Sequence, residues 1–330
     1  MMRSGSLRLA AAPMAVAAPL VAIALALASP GCAAPATGPS GPAPGGDPDA
    51  RLSRSDLSAG PAHAPLLWQV ERAGQVSYLL GTIHIGVDLH ELPAVVTATL
   101  DDGDTLVAAA DVADDAGEQL AGAMLPDGQS LRTMLGPDYW AILVEHLGDS
   151  VPEIVLDRMQ PWFPSILISL TDLQYTGDGL DNQLIARART GGKELVFLER
   201  GTEQLAMLSR LIDIDDLKEV LDDVPRSHHQ LRAMLRAYRT GNLAAVHGLT
   251  IERDKLAAEP EYYDGLLFAR NRAWMKTLVP LLSRGRVFVA VGAGHFVGDD
   301  GLLVLLRREG FTVRRMNAQT AAAATPRSTQ

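Results

Sequence analysis

The sequence predicts an α/β protein with a mostly parallel central sheet, helical cover and a helical insert. Three observations support this class. Short runs of buried-strand character alternate with segments of helical periodicity. Two of the strand patterns, far apart in the chain, end in the same Gly-x-x-His motif. Between about residues 111 and 264 the pattern is mainly helical, which indicates the insert. Strands joined by helices favour a parallel sheet.

Residues 1–31 are predicted to be a secretory signal. Residues 1–9 contain two arginines and no acid, and residues 10–28 are almost entirely small and apolar. Cys32, the only cysteine of the chain, ends the run Ser29-Pro30-Gly31-Cys32, where a bacterial lipoprotein signal places its lipidated cysteine. We therefore predict export and lipid anchoring at the bacterial cell envelope, on the periplasmic or outer-membrane side. A plain signal peptide cut near Ala34 and an uncleaved anchor are the alternatives.

The rest of the chain divides by composition. Residues 32–62 are rich in Pro, Gly, Ala and Ser and cannot bury enough surface to fold, so we predict a flexible tether. Residues 63–317 are the predicted α/β domain, and residues 318–330 are a predicted disordered tail. The formal net charge of −10 becomes −12 when the two arginines of the signal are removed. No basic stripe is present, so nucleic acid is not a predicted partner. One cysteine cannot form a disulfide framework.

Six strands are predicted from short apolar runs, and the first two flank the hairpin turn Arg72-Ala73-Gly74. They are Leu66–Glu71, Gln75–Leu80, Thr105–Ala110, Glu194–Leu198, Val287–Val291 and Phe311–Arg315.

Nine helices are predicted from apolar residues at helical spacing, with glycines marking several of their ends. They are Leu92–Leu100, Gln129–Leu147, Gln160–Leu173, Asp181–Arg189, Glu203–Leu211, Asp215–Leu221, His228–Tyr238, Tyr263–Leu282 and Gly301–Arg308.

Two near-identical tetrapeptides carry the strongest functional signal. Gly81-Thr82-Ile83-His84 and Gly292-Ala293-Gly294-His295 each end a buried-strand pattern. Glycine lets the backbone turn sharply off a strand and lets another group approach closely. Ligands bind at the carboxyl ends of the strands in sheets of this type, and both histidines fall there. We therefore predict that His84 and His295 share one site.

The residue types suit metal or acid–base chemistry. Imidazole binds divalent metals and transfers protons near neutral pH, and two histidines with a carboxylate are a common ligand set. Glu199, at the end of a strand, is the candidate carboxylate; alternatively it favours the dipole of the next helix. Arg270 is a candidate for holding an anionic intermediate or an acidic substrate group. Otherwise Arg270 and Asn271 belong to a solvated helix face.

Together the motifs resemble the TraB/GumN family, which includes the Tiki proteases. The resemblance runs from about Trp68 to Met316. The residues that carry it are Leu79-Leu80-Gly81-Thr82-Ile83-His84, Gln160-Pro161-Trp162, Gly179-Leu180-Asp181, Leu198-Glu199 with Gln204, Arg270-Asn271, and the run from Val291 to Gly298 with Gly301-Leu302-Leu303.

This resemblance implies a single α/β domain related to the erythromycin esterase and haem-uptake ChaN-like folds. It also implies a metal-dependent peptidase with manganese or cobalt as the cofactor. His84 and His295 would then be metal ligands or acid–base residues, and Arg270 would stabilise charge. The related esterases use a similar set of His, Glu, Arg and His, which makes Glu199 a further catalytic candidate.

The chain departs from the family pattern at one position. A glutamate is expected in the strand that reads Leu106-Val107-Ala108-Ala109-Ala110-Asp111, and the residue in its place is Ala109. Alanine can neither bind a metal nor move a proton. Asp111 points to the same side of an extended strand but lies about 6–7 Å further along it. The candidate metal ligands are therefore His84, His295, Glu199 and Asp111.

Two functions follow as hypotheses. The first is a metal-dependent hydrolase, acting as a peptidase on a peptide or another small-molecule substrate. The second is a catalytically degenerate protein that kept the fold and the cleft, lost the strand glutamate at Ala109, and binds a peptide, haem or another small molecule.

Overall fold

The computed structural model describes residues 65–111, 116–173, 175 and 178–316. Within them one six-stranded sheet forms from β1 (Leu67–Arg72), β2 (Gln75–Thr82), β3 (Thr105–Ala108), β4 (Glu194–Phe197), β5 (Val287–Gly292) and β6 (Thr312–Arg315). The strand order is β4-β3-β5-β2-β1-β6. The predicted signal, the tether with Cys32 and the C-terminal tail lie outside the described residues.

The sheet is mixed but mostly parallel, in agreement with the predicted class. β2, β5, β3 and β4 pair with one another in parallel, whereas β1 pairs antiparallel with both β2 and β6. The hairpin between β1 and β2 turns through Ala73 and Gly74, whose φ values of 51° and 78° suit a tight two-residue turn. All six predicted strands occur, with ends shifted by no more than two residues.

The helices of the described residues surround this sheet. They are α1 (Ala94–Asp102), α2 (Ala116–Gly122), α3 (Leu131–Leu135), α4 (Pro137–Leu147), α5 (Glu153–Leu156), α6 (Trp162–Leu170), α7 (Leu180–Thr190), α8 (Gly201–Leu211), α9 (Ile214–Asp222), α10 (Val224–Arg239), α11 (Leu243–Thr250), α12 (Arg253–Ala258), α13 (Pro260–Tyr263), α14 (Ala269–Arg284) and α15 (Leu302–Arg308). A π-helical segment, Asp264–Phe268, leads into α14.

The helical insert differs in detail from its prediction. The helix predicted over Gln129–Leu147 is divided into α3 and α4, because Gly136 takes a positive φ of 77° and Pro137 starts the second helix. The helix predicted over Tyr263–Leu282 begins in the π-helical segment. The helices α2, α5, α11 and α12 have no counterpart in the prediction. No described helix combines the length and apolar composition needed to cross a membrane.

Two helices pack directly on the central strands: α7, in the insert, and α14, which follows it. α7 contacts β3, β4 and β5, and α14 contacts β1, β2 and β5. The central strand β5 is deeply buried; its Phe288, Val289 and Val291 have no measurable exposure. Because β2 and β5 are parallel neighbours with Thr82 opposite Gly292, both Gly-x-x-His motifs leave the sheet at the same edge.

Candidate active site

His84 lies two residues beyond the end of β2, and Asp181 at the start of α7 holds its ring. His84 Nδ1 is 2.7 Å from Asp181 Oδ2. The hydroxyl of Thr82 donates to Asp181 Oδ1 at 2.7 Å. Asp181 Oδ2 accepts no hydrogen bond of regular geometry from the described residues, and its close contact is with His84 Nδ1. A carboxylate can only accept, and we therefore assign the proton of this face to Nδ1.

The charge of Asp181 is maintained by this contact. Burial alone would raise the pKa of the Asp181 carboxyl, but His84 and the hydrogen-bonding groups of His84 and Thr82 favour the ionised form. Their combined effect leaves the pKa of Asp181 below its usual value. An ionised partner at Nδ1 fixes the orientation of the imidazole and leaves Nε2 as its reactive nitrogen.

His295 is held by an amide instead of a carboxylate. It lies in the short 3₁₀ turn Ala293–Phe296 and is 2% exposed. Its Nδ1 is 2.7 Å from Oδ1 of Asn271 on α14. The amide nitrogen of Asn271 donates to the backbone oxygens of His295 and Asp300, at 3.1 and 2.9 Å. Because that nitrogen is the donor, Oδ1 is the acceptor, and His295 carries its proton on Nδ1.

The environment keeps His295 neutral. Its burial, and then the positive charges of Arg270 and His84, hold the pKa of His295 well below its usual value. The ring of Trp274 lies against it, with centroids 4.3 Å apart. His295 therefore presents an unprotonated Nε2 at neutral pH, which suits a metal ligand or a proton acceptor.

The two rings face one small space beside Gly292. A Cβ built on Gly292 would lie 3.2 Å from His84 Nε2 and 3.8 Å from His295 Cδ2. The structure thus brings both predicted histidines within 4 Å of a single point. Gly292 has an ordinary φ of −49°, so the space rather than the backbone explains the glycine.

Arg270 and Glu199 form a buried ion pair at the same edge of the sheet. Their side chains are 11% and 12% exposed, and two guanidinium nitrogens contact the Glu199 carboxylate, with Nε at 3.1 Å. Gln204 donates to Glu199 Oε1 at 2.7 Å. Arg270 also donates to the carbonyl of Leu266 and lies over the ring of Trp274. The carboxylate of Glu199 is therefore held by side chains rather than by the N-terminus of α8.

The remaining candidate, Asp111, forms an ion pair with Arg189 of α7. The backbone N–H of Glu199, two residues beyond the end of β4, donates to the carbonyl of Ala109 at 3.0 Å, so Glu199 lies beside the position of the missing glutamate. Among the described residues, no three His, Cys, Asp or Glu side chains form a group that could hold a metal ion. The side chains that approach one point are therefore the imidazoles of His84, through Nε2, and of His295, through Cδ2.

Three contributing residues were not assigned a role from the sequence. Asp181 belongs to the motif Gly179-Leu180-Asp181, and the only sign of its role in the sequence is its place near the start of a helix. The sequence identifies Thr82 only as part of the first motif and does not indicate its hydrogen bond to Asp181. The alternative that Arg270 and Asn271 belong to a solvated helix face is wrong, because Asn271 is completely buried against His295 and the Arg270 side chain is only 11% exposed.

These features define an α/β protein with a paired-histidine site at the carboxyl edge of its sheet. The chain belongs to the TraB/PrgY/gumN family, which matches residues 66–315.

Several relatives cover most of the chain. Uncharacterized protein YbaP of Shigella flexneri is 28% identical over 70% of this chain and 88% of that protein. YbaP of Escherichia coli K12 is also 28% identical, over 70% of this chain and 87% of that protein. Metalloprotease TIKI2 of Xenopus tropicalis is 26% identical over 84% of this chain and 63% of that protein. No solved structure gives a significant match.

The space beside Gly292 can be tested by filling it. In Gly292→Ala the new methyl group presses on His84, whose ring is fixed by Asp181, and this overpacking costs on the order of 1 kcal/mol. Gly248→Ala on α11 is the matched control, because a Cβ there meets nothing within 4 Å. We expect urea unfolding to show Gly292→Ala less stable than the wild type by about that amount, whereas Gly248→Ala keeps or gains stability because alanine favours a helix over glycine. Gly292→Ala as stable as the wild type would contradict the close approach of His84.

The low pKa of His295 predicts a pH dependence of stability in chelator-treated protein. The folded pKa lies below the unfolded value near 6.5, so the unfolded chain binds the proton more strongly. Stability therefore falls as the pH drops below about 6.5, by at most about 1.4 kcal/mol per pH unit. His295→Gln lacks this contribution. Urea unfolding at about pH 7.5 and 5.5 should show a smaller loss for the variant than for the wild type, and an equal loss would refute the assignment.

Proposed function

We propose that the chain is a hydrolase of the peptidase type whose reacting centre is the space shared by His84 and His295. The observation that carries this proposal is the convergence of two imidazoles, each with Nδ1 engaged, on one point beside Gly292. Membership of the TraB/PrgY/gumN family and the similarity to metalloprotease TIKI2 support a hydrolase. We also propose that the α/β domain is related to the erythromycin esterase and ChaN-like folds.

Each histidine has its Nδ1 beside an oxygen, as metal-binding imidazoles usually do. His84 Nδ1 lies 2.7 Å from the carboxylate of Asp181, and His295 Nδ1 lies 2.7 Å from the amide oxygen of Asn271. We propose a divalent metal, manganese or cobalt, held by Nε2 of these two residues. When bound, such a metal polarises a carbonyl and lowers the pKa of a coordinated water. Glu199 and Asp111, the other predicted ligands, are held by Arg270 and Arg189.

The other side chains support this centre. Asp181 fixes the ring of His84, and Asn271 fixes that of His295, so neither imidazole must reorganise during a reaction. The guanidinium of Arg270 is immobilised by Glu199 and the Leu266 carbonyl. A fixed guanidinium beside the histidines can stabilise the negative charge that develops on a carbonyl oxygen.

Ala109 favours a second candidate function, a catalytically degenerate protein that binds a peptide, haem or another small molecule. The strand position that the family resemblance assigns to a glutamate carries only a methyl group. The structure also engages Glu199 and Asp111 in ion pairs with arginines. Under this alternative the paired histidines form a ligand site without turnover.

We further propose that the domain is exported and anchored to the bacterial envelope through a lipid on Cys32. The signal-like residues 1–31 and the tether 32–62 support this placement. The peptide substrate would then be extracytoplasmic.

Elemental analysis tests the metal proposal. The purified full chain should contain stoichiometric manganese, cobalt or zinc, and His84→Ala and His295→Ala should lose it, because each variant removes an imidazole ligand. His247→Ala, an exposed histidine on α11, is the matched control and should keep the metal. A wild type without stoichiometric metal that still retains its fold would remove the metal-dependent proposal.

Restoring the glutamate separates hydrolase from degenerate protein. If the natural chain is degenerate, Ala109→Glu should create peptide hydrolysis that the parent lacks, because a carboxylate joins the strand edge. Ala109→Gln is the matched control of equal size without the charge. Digestion of a peptide library followed by mass spectrometry measures the activity. Hydrolysis by the unaltered chain would exclude the binding-only function.

A further inference from the structure

One face of α10 contacts the first motif on both sides of His84, at the end of β2 before the histidine and in the loop after it. The hydroxyl of Tyr238 donates to the carbonyl oxygen of Gly81 at 2.9 Å. The guanidinium of Arg239 donates to the carbonyl oxygen of Gly86 at 2.6 Å. Two adjacent residues of one helix therefore hold the backbone before and after His84.

Leu235 adds an apolar contact on the same face. Gly86 has a φ of 85°, and a Cβ built on it would lie 2.7 Å from Leu235 Cδ2. Leu235, Tyr238 and Arg239 are spaced i, i+3 and i+4, so they point to one side of α10. The glycine that follows the first motif is thus required by both its backbone conformation and the close approach of this helix.

Both polar contacts are shielded and fixed. Tyr238 is 2% exposed, and its burial, with the negative charge of Asp181, raises its pKa, so the hydroxyl remains a donor. Arg239 also pairs with Glu91 at 3.2 Å, and Glu91 accepts the backbone N–H of Asp88 in the same loop. The arginine is therefore tied to the loop by its charge as well as by the Gly86 carbonyl.

The contacts compensate for the position of His84 outside the sheet. β2 ends at Thr82, so its ladder hydrogen bonds do not fix the backbone at residue 84. Asp181 orients the imidazole ring, but it does not fix the loop that carries it. The second motif is supported by other elements, since Asn271 of α14 binds His295 and Phe268 packs on Gly298.

We propose that Tyr238 and Arg239 are positioning residues that hold the first-motif loop so that His84 faces His295. This inference rests on the proposed function, in which the space between the two imidazoles is the reacting centre. Preorganised sites tolerate displacements of only about 0.5 Å, so loss of either carbonyl contact disturbs the centre without removing any group from it.

The test compares Tyr238→Phe and Arg239→Gln with two matched controls in the full chain. Tyr263→Phe also removes a buried tyrosine hydroxyl, one that accepts the backbone N–H of Glu252. Arg232→Gln removes an arginine of the same helix that pairs with Asp172. Far-UV circular dichroism verifies the fold of each variant. The readouts are the ring ¹⁵N resonances of His84 at constant pH in chelator-treated protein, and binding of Co²⁺ alone.

We expect Tyr238→Phe and Arg239→Gln to shift the His84 ring resonances and to weaken Co²⁺ binding about 10-fold. The two controls should leave both readouts as in the wild type. Unshifted His84 resonances in folded Tyr238→Phe and Arg239→Gln, or equal shifts in the controls, would overturn the positioning role. If Co²⁺ binds to none of the proteins, the wild type included, the proposed metal site fails, while the ring resonances still decide the role of α10.

Discussion

Parallel pairing of β2 with β5 is the constraint on which the candidate site depends. With Thr82 opposite Gly292, two motifs from opposite ends of the domain leave the sheet at one edge. The same register places Gly292 directly beside His84 Nε2. A shift by one residue would turn the side chains of a strand to the other face of the sheet. Packing of α7 and α14 on these strands then supplies Asp181 and Asn271.

The two histidines are alike in sequence but not in electrostatics. His84 faces the carboxylate of Asp181, with Nδ1 2.7 Å from Oδ2. His295 is buried, faces an amide and lies near the cation of Arg270, so its neutral form is favoured. The two imidazoles therefore differ in the group that holds Nδ1, which is a carboxylate for His84 and an amide oxygen for His295.

The sheet and the placement of the two motifs could be predicted because they depend on local patterns. Apolar runs ending in Gly-x-x-His identify β2 and β5 and place both histidines at strand ends. The supporting contacts could not be predicted, because they join strand edges to helices far away in the chain. Arg270 and Asn271 are neighbours on one helix, yet Arg270 binds Glu199 and Asn271 binds His295. Periodicity alone does not reveal that both side chains point into the protein.

The missing strand acid illustrates the same limit. The sequence identifies Ala109 as a departure and Asp111 as a possible substitute two residues further on. Only the tertiary structure reveals that Asp111 pairs with Arg189, and that the backbone N–H of Glu199 donates to the carbonyl oxygen of Ala109. The arginines that pair with Asp111 and Glu199 come from α7 and α14, and the strand pattern does not predict how these helices pack.

Anomalous diffraction at the cobalt edge, from crystals of the protein loaded with Co²⁺, tests the central claim most directly. The claim is that His84 and His295 present Nε2 to one shared space. The account predicts a single cobalt peak bonded to Nε2 of both residues. Cobalt bonded to only one of the two imidazoles, or bonded through Nδ1, would contradict it.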